Sequence, residues 1–412
     1  MTIDERLVAA GLPPLMRRVW LEIDLDALTN NLHAIRDHVG TDVEINAVVK
    51  ADAYGHGLVP VARHFAASGV QRLCVASFDE ALAVRGAGID TPILVMFSIP
   101  VDAVARAAQS RIEIVASDAG TIAATLERWR TRTTNSDDVL AVHLEVETGL
   151  SRAGLMPDAV ADVARLIAAT PRTRIAGIWT HLATPEDAAT SDAQERAFGA
   201  ALDALRAAGV PIPQRHLAAT GGLLIAEQSY EGIRPGLALY GIVPDSLVAG
   251  GRQAQLAGRL RPVMTLKCTP LRVETFPAGT RVGYGGRWTA QRESRIATLP
   301  VGYGDGFARA YSPGAQAIVR GSRVPVVGTV AMDALMVDVT EVPGVNLDDE
   351  FVLLGRQGAE TVDANELARL RNTIPWEVVT AMSTRVTRVY HAGSVLKSLR
   401  TLHGEVRAAT EA

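Results

Sequence analysis

A lysine ends the apolar run Glu44–Lys50, and the chain then reads Ala51-Asp52-Ala53-Tyr54-Gly55-His56-Gly57. An amine at the carboxyl end of a packed strand sits at the mouth of a sheet. There it can condense with the carbonyl of a cofactor such as pyridoxal phosphate. The tyrosine and glycines behind it could cradle an anion. Further polar groups fall at comparable places. Arg152 follows the run Leu140–Glu147, His181 lies near the end of Arg174–Leu182, and Arg234 enters Gly232–Gly241. Thr220-Gly221-Gly222 follows Gln214–Ala219 and could offer backbone N–H groups to a phosphate. Taken singly, each reads more readily as a solvated cation, a structural histidine or a plain turn. Their joint placement at strand ends makes the chemical case.

The elements that must position these groups follow a regular rhythm. Short apolar runs at Val19–Leu25, Glu44–Lys50, Arg72–Ser77, Pro92–Phe97, Ile112–Ser117, Leu140–Glu147, Arg174–Leu182, Gln214–Ala219 and Gly232–Gly241 alternate with segments of helical spacing such as Asp26–His38, Ala119–Arg132, Pro157–Ala169 and Ser191–Ala208. Such alternation predicts parallel strands joined by crossover helices. The expectation is a (β/α)8 TIM-type barrel with one strand left over, whose reactive groups gather at the carboxyl ends of the strands. An open doubly wound sheet is the alternative. Beyond about Gly251 the pattern changes to short strands and many glycines, at Val263–Thr269, Arg295–Pro300, Ala317–Arg320, Val324–Val327, Ala334–Val339 and Phe351–Leu354, with helices at Ala364–Asn372 and near Trp376–Met382. The expected organisation is an N-terminal extension (residues 1–14), a barrel (15–250) and a mostly-β C-terminal domain (251–412), with Val243–Gly258 as linker.

Composition narrows the class. The 412 residues are 48% apolar with a net charge of -4, which supplies a sizeable core and disfavours a nucleic-acid surface. No segment is long and apolar enough to span a membrane, and the first twenty residues lack the apolar core of a signal peptide. Cys74 and Cys268 sit far apart in apolar surroundings and read as reduced core residues. A cytoplasmic enzyme without a metal is expected.

Several motifs carry a family resemblance. The segment Val48–Gly57, Arg234-Pro235-Gly236 with Tyr240-Gly241, Val282-Gly283-Tyr284-Gly285, Leu299–Gly306 and Met332-Asp333 resemble the alanine racemases, fold-type III pyridoxal-phosphate enzymes, over about Val19 to His391. The resemblance implies pyridoxal 5'-phosphate bound as a Schiff base to Lys50. It implies Lys50 and Tyr284 as the two opposed acid/base groups, Tyr284 arriving from the partner subunit of a homodimer with shared sites. It places Arg234 against the pyridine nitrogen with His181 hydrogen-bonded to it. Tyr54, Thr220, Gly236 and Leu237 would surround the phosphate, and Trp376 stands where a phosphate-touching tyrosine is usual. Arg152 would face the substrate and stabilise the Tyr284 phenolate. Met332 would meet the substrate carboxylate through its N–H, and Tyr303 would narrow the approach. Racemisation removes a proton from one face and returns it on the other, so two different groups suit it.

The chain also departs from the pattern. Glu145 stands where many members have a lysine, often carbamylated, and is expected to pair with Arg152 as a shorter anion. Thr329 replaces an arginine, Glu186 an aspartate, Ala219 an asparagine, and Thr220 a serine; Tyr303, Met332 and Arg309 still favour a small amino acid. The leading reading is racemisation of alanine. The alternatives are a racemase of the same type acting on serine or a larger amino acid, a barrel decarboxylase, for which the late cysteine and aspartate are missing, and a non-catalytic pyridoxal-phosphate-binding protein, which would lack the β domain.

Overall fold

In a computed structural model of the chain, which describes residues 2–132, 137–211, 214–225, 230–247 and 250–409, the strands form a closed barrel, a large second sheet and a separate two-stranded pair. In chain order they are β1 (Val19–Asp24), β2 (Glu44–Val48), β3 (Arg72–Val75), β4 (Ile93–Val95), β5 (Ile112–Ala116), β6 (Leu140–Glu145), β7 (Thr173–Trp179), β8 (Gln214–Ala219) and β9 (Gly232–Arg234). Strands β2 to β9 close in sequence order into a parallel barrel, with β9 returning to β2 through Glu44–Gly232 and Ile45–Ile233. Val, Ile, Leu and Ala dominate these strands because both faces are covered, by the barrel interior on one side and helices on the other. The intervening helices begin where polar caps allow. Asp24 Oδ1 accepts from Ala27 N–H, Asp118 Oδ1 from Thr121 N–H, and Ser77 forms a reciprocal capping box with Glu80.

The strand left over is β1. It lies in the second sheet, antiparallel to β10 (Met264–Cys268) and parallel to Thr387–Ala392. That sheet has twelve strands. After β10 they are β11 (Arg272–Phe276), β14 (Ser294–Leu299), β15 (Gln316–Val319), β16 (Ser322–Val327), β17 (Leu335–Asp338), β18 (Phe351–Gln357), β19 (Glu360–Val362), β20 (Thr387–Ala392), β21 (Val395–Thr401) and β22 (Gly404–Arg407), while the short pair β12 (Arg281–Val282) and β13 (Trp288–Thr289) stands apart. Trp20 on β1 is buried with Ile3, Leu7 and Leu12 against Val389, Leu396 and Leu399. The expected linker is not an extended tether: Gly251–Arg259 is helical and buries Gln253 and Leu256. Its apolar positions are too few to announce a helix; besides burying Leu256 it is held by Arg252 donating to His38 O at 2.9 Å and by Arg259 against Asp37. Residues 248 and 249 of that segment lie outside the described residues. Cys74 and Cys268 are both buried and unbridged, as the composition suggested.

Candidate active site

Lys50 follows β2 directly, and the backbone after it does something rare. Ala51, Asp52, Ala53 and Tyr54 all have φ between 53° and 56°. Four consecutive L-residues in the left-handed region cost about 1–2 kcal/mol each, so neighbouring groups must over-determine the turn. They do so from three directions. Glu80 Oε1, from the capping box of the next unit, accepts from Ala51 N–H at 2.6 Å. Asp52 Oδ1 accepts from Leu58 N–H at 2.8 Å and Asp52 Oδ2 from Arg400 at 2.6 Å. From the β sheet, Arg388 donates to Gly55 O at 2.9 Å and Tyr390 Oη to His56 O at 2.8 Å. Gly55 and Gly57 are obligatory here: a Cβ on Gly55 would lie 2.1 Å from Val379 O, and one on Gly57 1.9 Å from Tyr390 Oη. The turn thus fixes where the Lys50 stem leaves the barrel.

Lys50 opens into a cavity of about 670 Å³ at the carboxyl ends of the strands. Tyr54, Arg152, His181, Thr220, Arg234, Gly236 and Trp376 line it, together with Glu186 and Ala219. Burial lowers the pKa of the Lys50 amine, and the charge of Arg152 lowers it further. More of it is therefore the neutral amine at a given pH. Thr220 Oγ1 accepts from Gly236 N–H and from Ala238 N–H, each at 3.2 Å. Both lone pairs are used, which leaves its proton for an acceptor in the cavity. Gly236 lets Tyr54 approach: a Cβ there would sit 2.3 Å from Tyr54 Oη. Leu237, expected beside the phosphate, is fully buried and starts the 3-10 turn Leu237–Tyr240 behind the cavity wall.

Arg234 is 2% exposed and heavily tethered. It donates to Thr180 O at 2.7 Å and to His216 O at 2.7 Å, and it lies over the Trp179 ring. Burial pulls its pKa down to about 10, so it remains a cation near neutrality. His181 Nδ1 stands 3.5 Å from it, whereas His216 Nδ1 is at 2.7 Å. The near imidazole partner is therefore His216, which the sequence reading missed. A histidine following two polar residues, Gln214 and Arg215, at the start of β8 gave the only signal. His181 is held neutral by burial first and by the charges of Arg234 and Arg152, its pKa falling to about 3.

Glu145, on the last position of β6, has Oε1 3.7 Å from Arg152 and an Oε2 without a partner. Burial raises its pKa to about 7 despite the nearby guanidinium. Tyr284, Met332 and Tyr303 do not line the cavity. They are 76%, 53% and 43% exposed on adjoining segments of the β domain. Thr329 Oγ1 donates to Tyr284 O at 3.3 Å, Tyr303 N–H to Ala331 O at 3.0 Å and Gly304 N–H to Met332 O at 2.9 Å. Arg309 is likewise exposed. Among the described residues no cluster of metal-ligating side chains occurs and no helix is long and apolar enough to cross a membrane.

Residues 23–244 match the family description "Alanine racemase, N-terminal domain" and residues 263–390 match "Alanine racemase, C-terminal domain". The chain belongs to the alanine racemase family. An alanine racemase of Halothermothrix orenii is 35% identical over 378 residues, covering 91% of this chain and 97% of that protein. Alanine racemase 2 of Bacillus subtilis is 36% identical over 381 residues, 91% and 95% of the two chains. Among solved structures, alanine racemase from Bacillus anthracis with bound L-Ala-P superposes with a TM-score of 0.85 at 31% identity over 94% of this chain and 98% of that one. The enzyme from Streptomyces lavendulae gives 0.83 at 32% identity over 92% and 98%. The barrel followed by a mostly-β domain is the architecture of these alanine racemases, and the chain is an amino-acid racemase that acts on alanine.

Proposed function

We propose that this alanine racemase works with pyridoxal 5'-phosphate held by Lys50, and that its sites are completed by a second copy of the chain. The residues present fit that cofactor. Lys50 supplies an amine of lowered pKa, Thr220 an unspent hydroxyl proton, Tyr54 a phenol held against Gly236, and Arg234 a donor-only cation. Lys50 and Thr220 would anchor the carbonyl and phosphate ends, Trp376 would close the wall beside the phosphate, and Arg234 would face the ring nitrogen. When bound, the group supplies an electron sink that acidifies the substrate Cα–H.

The chain's own groups then divide the work. Lys50, as the neutral amine, takes or returns the Cα proton on one face. Tyr284 of the partner subunit does the same on the opposite face, with Arg152 lowering the cost of its phenolate. Arg152 also orients the substrate carboxylate, helped by the N–H of Met332 of the partner subunit. Arg234 donates and cannot readily give up its proton, so it would leave a ring nitrogen facing it unprotonated and the electron sink moderate. That favours return of the proton over competing routes.

One observation carries the dimer reading. The cavity is lined by Lys50 but by none of Tyr284, Met332 and Tyr303, which are exposed on the β domain. A two-fold assembly that buries each patch against the other chain's cavity completes two sites at once. Solvent-deuterium incorporation at Cα, across a panel of L- and D-amino acids with and without added cofactor, tests the proposal. Exchange dependent on the cofactor and greatest for alanine is expected. Exchange without cofactor would overturn the cofactor assignment, and preference for serine or a larger side chain would replace alanine as the main substrate.

A further inference from the structure

A line of buried polar side chains crosses the barrel interior from Arg234, at the carboxyl ends of the strands, to Arg72, at the amino ends. Arg234 meets His216 Nδ1 at 2.7 Å, His216 Nε2 meets His143 Nδ1 at 3.2 Å, and His143 Nε2 meets Glu113 Oε2 at 2.8 Å. Glu113 also accepts from Arg72 Nε at 2.6 Å and from Arg174 at 3.0 Å. Arg72 is held in turn by Asn46 Oδ1 at 2.7 Å and Gln214 Oε1 at 2.8 Å. Both imidazoles are completely buried and Glu113 is 4% exposed. Burying such a network is costly unless every member is satisfied. From Arg234 to Arg72 this one draws on five strands, β9, β8, β6, β5 and β3, in the middle of a core that apolar side chains would otherwise fill.

The contacts have only one consistent direction. A guanidinium donates and never accepts. His216 Nδ1 must therefore be the acceptor, which puts its proton on Nε2. That proton points at His143 Nδ1, so His143 also carries its proton on Nε2 and donates it to Glu113. Glu113 closes the line as a carboxylate. Burial alone would raise its pKa, but His143 and Arg72 outweigh this and hold it far below the usual range. Space for the line has been cleared: a Cβ on Gly177 would lie 2.4 Å from His143 Nδ1, and one on Gly232 2.9 Å from Asn46 Nδ2.

We infer that Glu113 and His143 are positioning residues for racemisation. The carboxylate sets the tautomers of both histidines and thereby presents an acceptor to Arg234 from beneath. This holds the guanidinium in the plane and protonation state it needs toward the cavity. Neither residue lines the cavity, so their effect is transmitted entirely through His216 and Arg234. If residue 113 could donate instead of accept, His143 could carry its proton on Nδ1. His216 would then present an N–H to Arg234, and two donors would face each other. The inference rests on the reading that Arg234 faces the bound cofactor.

The test uses [15N]histidine-labelled protein, wild type, Glu113→Gln and Gly177→Ala, with and without pyridoxal phosphate. Imidazole 15N shifts report the tautomers directly, and racemisation kinetics are read on the same samples. In the wild type, both His143 and His216 are expected as neutral rings protonated on Nε2 at neutral pH, loaded or not. Glu113→Gln is expected to give His216 a population protonated on Nδ1 and to lower kcat at least tenfold with KM within twofold. Gly177→Ala, which displaces the His143 ring without removing a charge, is expected to act the same way. A wild-type ring protonated on Nδ1 or doubly protonated would overturn the proposal, and this measurement needs no variant to fold. So would altered tautomers with unchanged kcat. Failure of the cofactor reading would look different: the wild type would then racemise without added pyridoxal phosphate, whatever its histidine tautomers.

Discussion

Replacing Glu145 by glutamine should change how folding stability depends on pH. Glu145 ends β6 inside the protein, with Oε2 unpartnered and Oε1 3.7 Å from Arg152. That separation is too long for a hydrogen bond. Burial dominates the attraction of Arg152 and moves the carboxyl from an ordinary value near 4.5 to about 7. A raised carboxyl pKa means that the folded state holds the proton more tightly than the unfolded state. The associated stabilisation is complete below pH 4.5 and disappears as pH rises through 7. At about 1.4 kcal/mol per tenfold change in proton affinity, the loss over that interval is about 3 kcal/mol. Glu145→Gln has no proton to lose and should lack this slope. The assay is urea unfolding of both proteins at fixed chain concentration at pH 4.5, 5.5, 6.5 and 7.5, taking the difference in free energy at each pH so that all other titrating groups cancel. Wild type should fall relative to the variant by about 3 kcal/mol across the series. A difference that stays flat within about 0.5 kcal/mol would refute the reasoning, because Glu145 would then be ionised throughout and solvated or paired in a way its geometry does not provide. The same ionisation governs Arg152: above pH 7 the guanidinium has an anionic neighbour, and KM for alanine should be less pH-dependent in the variant.

Other expectations follow from single contacts. Tyr284→Phe should slow Cα deuterium exchange of one alanine enantiomer by at least 100-fold and leave the other much less affected; equal losses for both enantiomers would remove Tyr284 from the acid/base role. Gly236→Ala places a Cβ 2.3 Å from Tyr54 Oη and should weaken cofactor retention at least tenfold in equilibrium dialysis without lowering the urea midpoint comparably. Tyr390→Phe removes the donor to His56 O, 2.8 Å away and buried, and should cost about 1–2 kcal/mol in urea unfolding; a neutral effect would mean that the Lys50 turn does not draw on the β sheet.

The barrel was legible because its strands are nearly continuous apolar runs. Ile112–Ala116 and Leu140–Glu145 are buried at every position, so pattern and structure coincide. Strands at the sheet margins were not legible. Arg272–Phe276 and Gly404–Arg407 are mostly exposed, and an exposed strand need not carry an apolar period. The destination of β1 could not be read either, since its partners, Met264–Cys268 and Thr387–Ala392, lie hundreds of residues away and pairing leaves no local mark. The site divides in the same way. Lys50, Arg152 and Arg234 stood out as polar groups at strand ends. His216, His143 and Glu113 did not, because a polar residue within a strand is indistinguishable from a satisfied core residue until the barrel brings three of them into line. Leu237 is fully buried, and its neighbours Gly236 and Ala238 give their N–H groups to Thr220.

Part of the clamp on the left-handed turn after Lys50 comes from groups made more than three hundred residues later. Asp52 and its partner Arg400 are separated by 348 residues, and Arg388 and Tyr390 come from the same late hairpin. At about 5–20 residues per second, the clamp emerges roughly 20 to 70 seconds after the amine it positions. Throughout that interval the turn after Lys50 has only its local partners to hold it, Glu80 on the Ala51 N–H and Asp52 on the Leu58 N–H. The geometry that makes Lys50 useful is therefore completed only once β20 and β21 have been made, and chains that stop short of them would display the amine without the β-sheet part of its clamp.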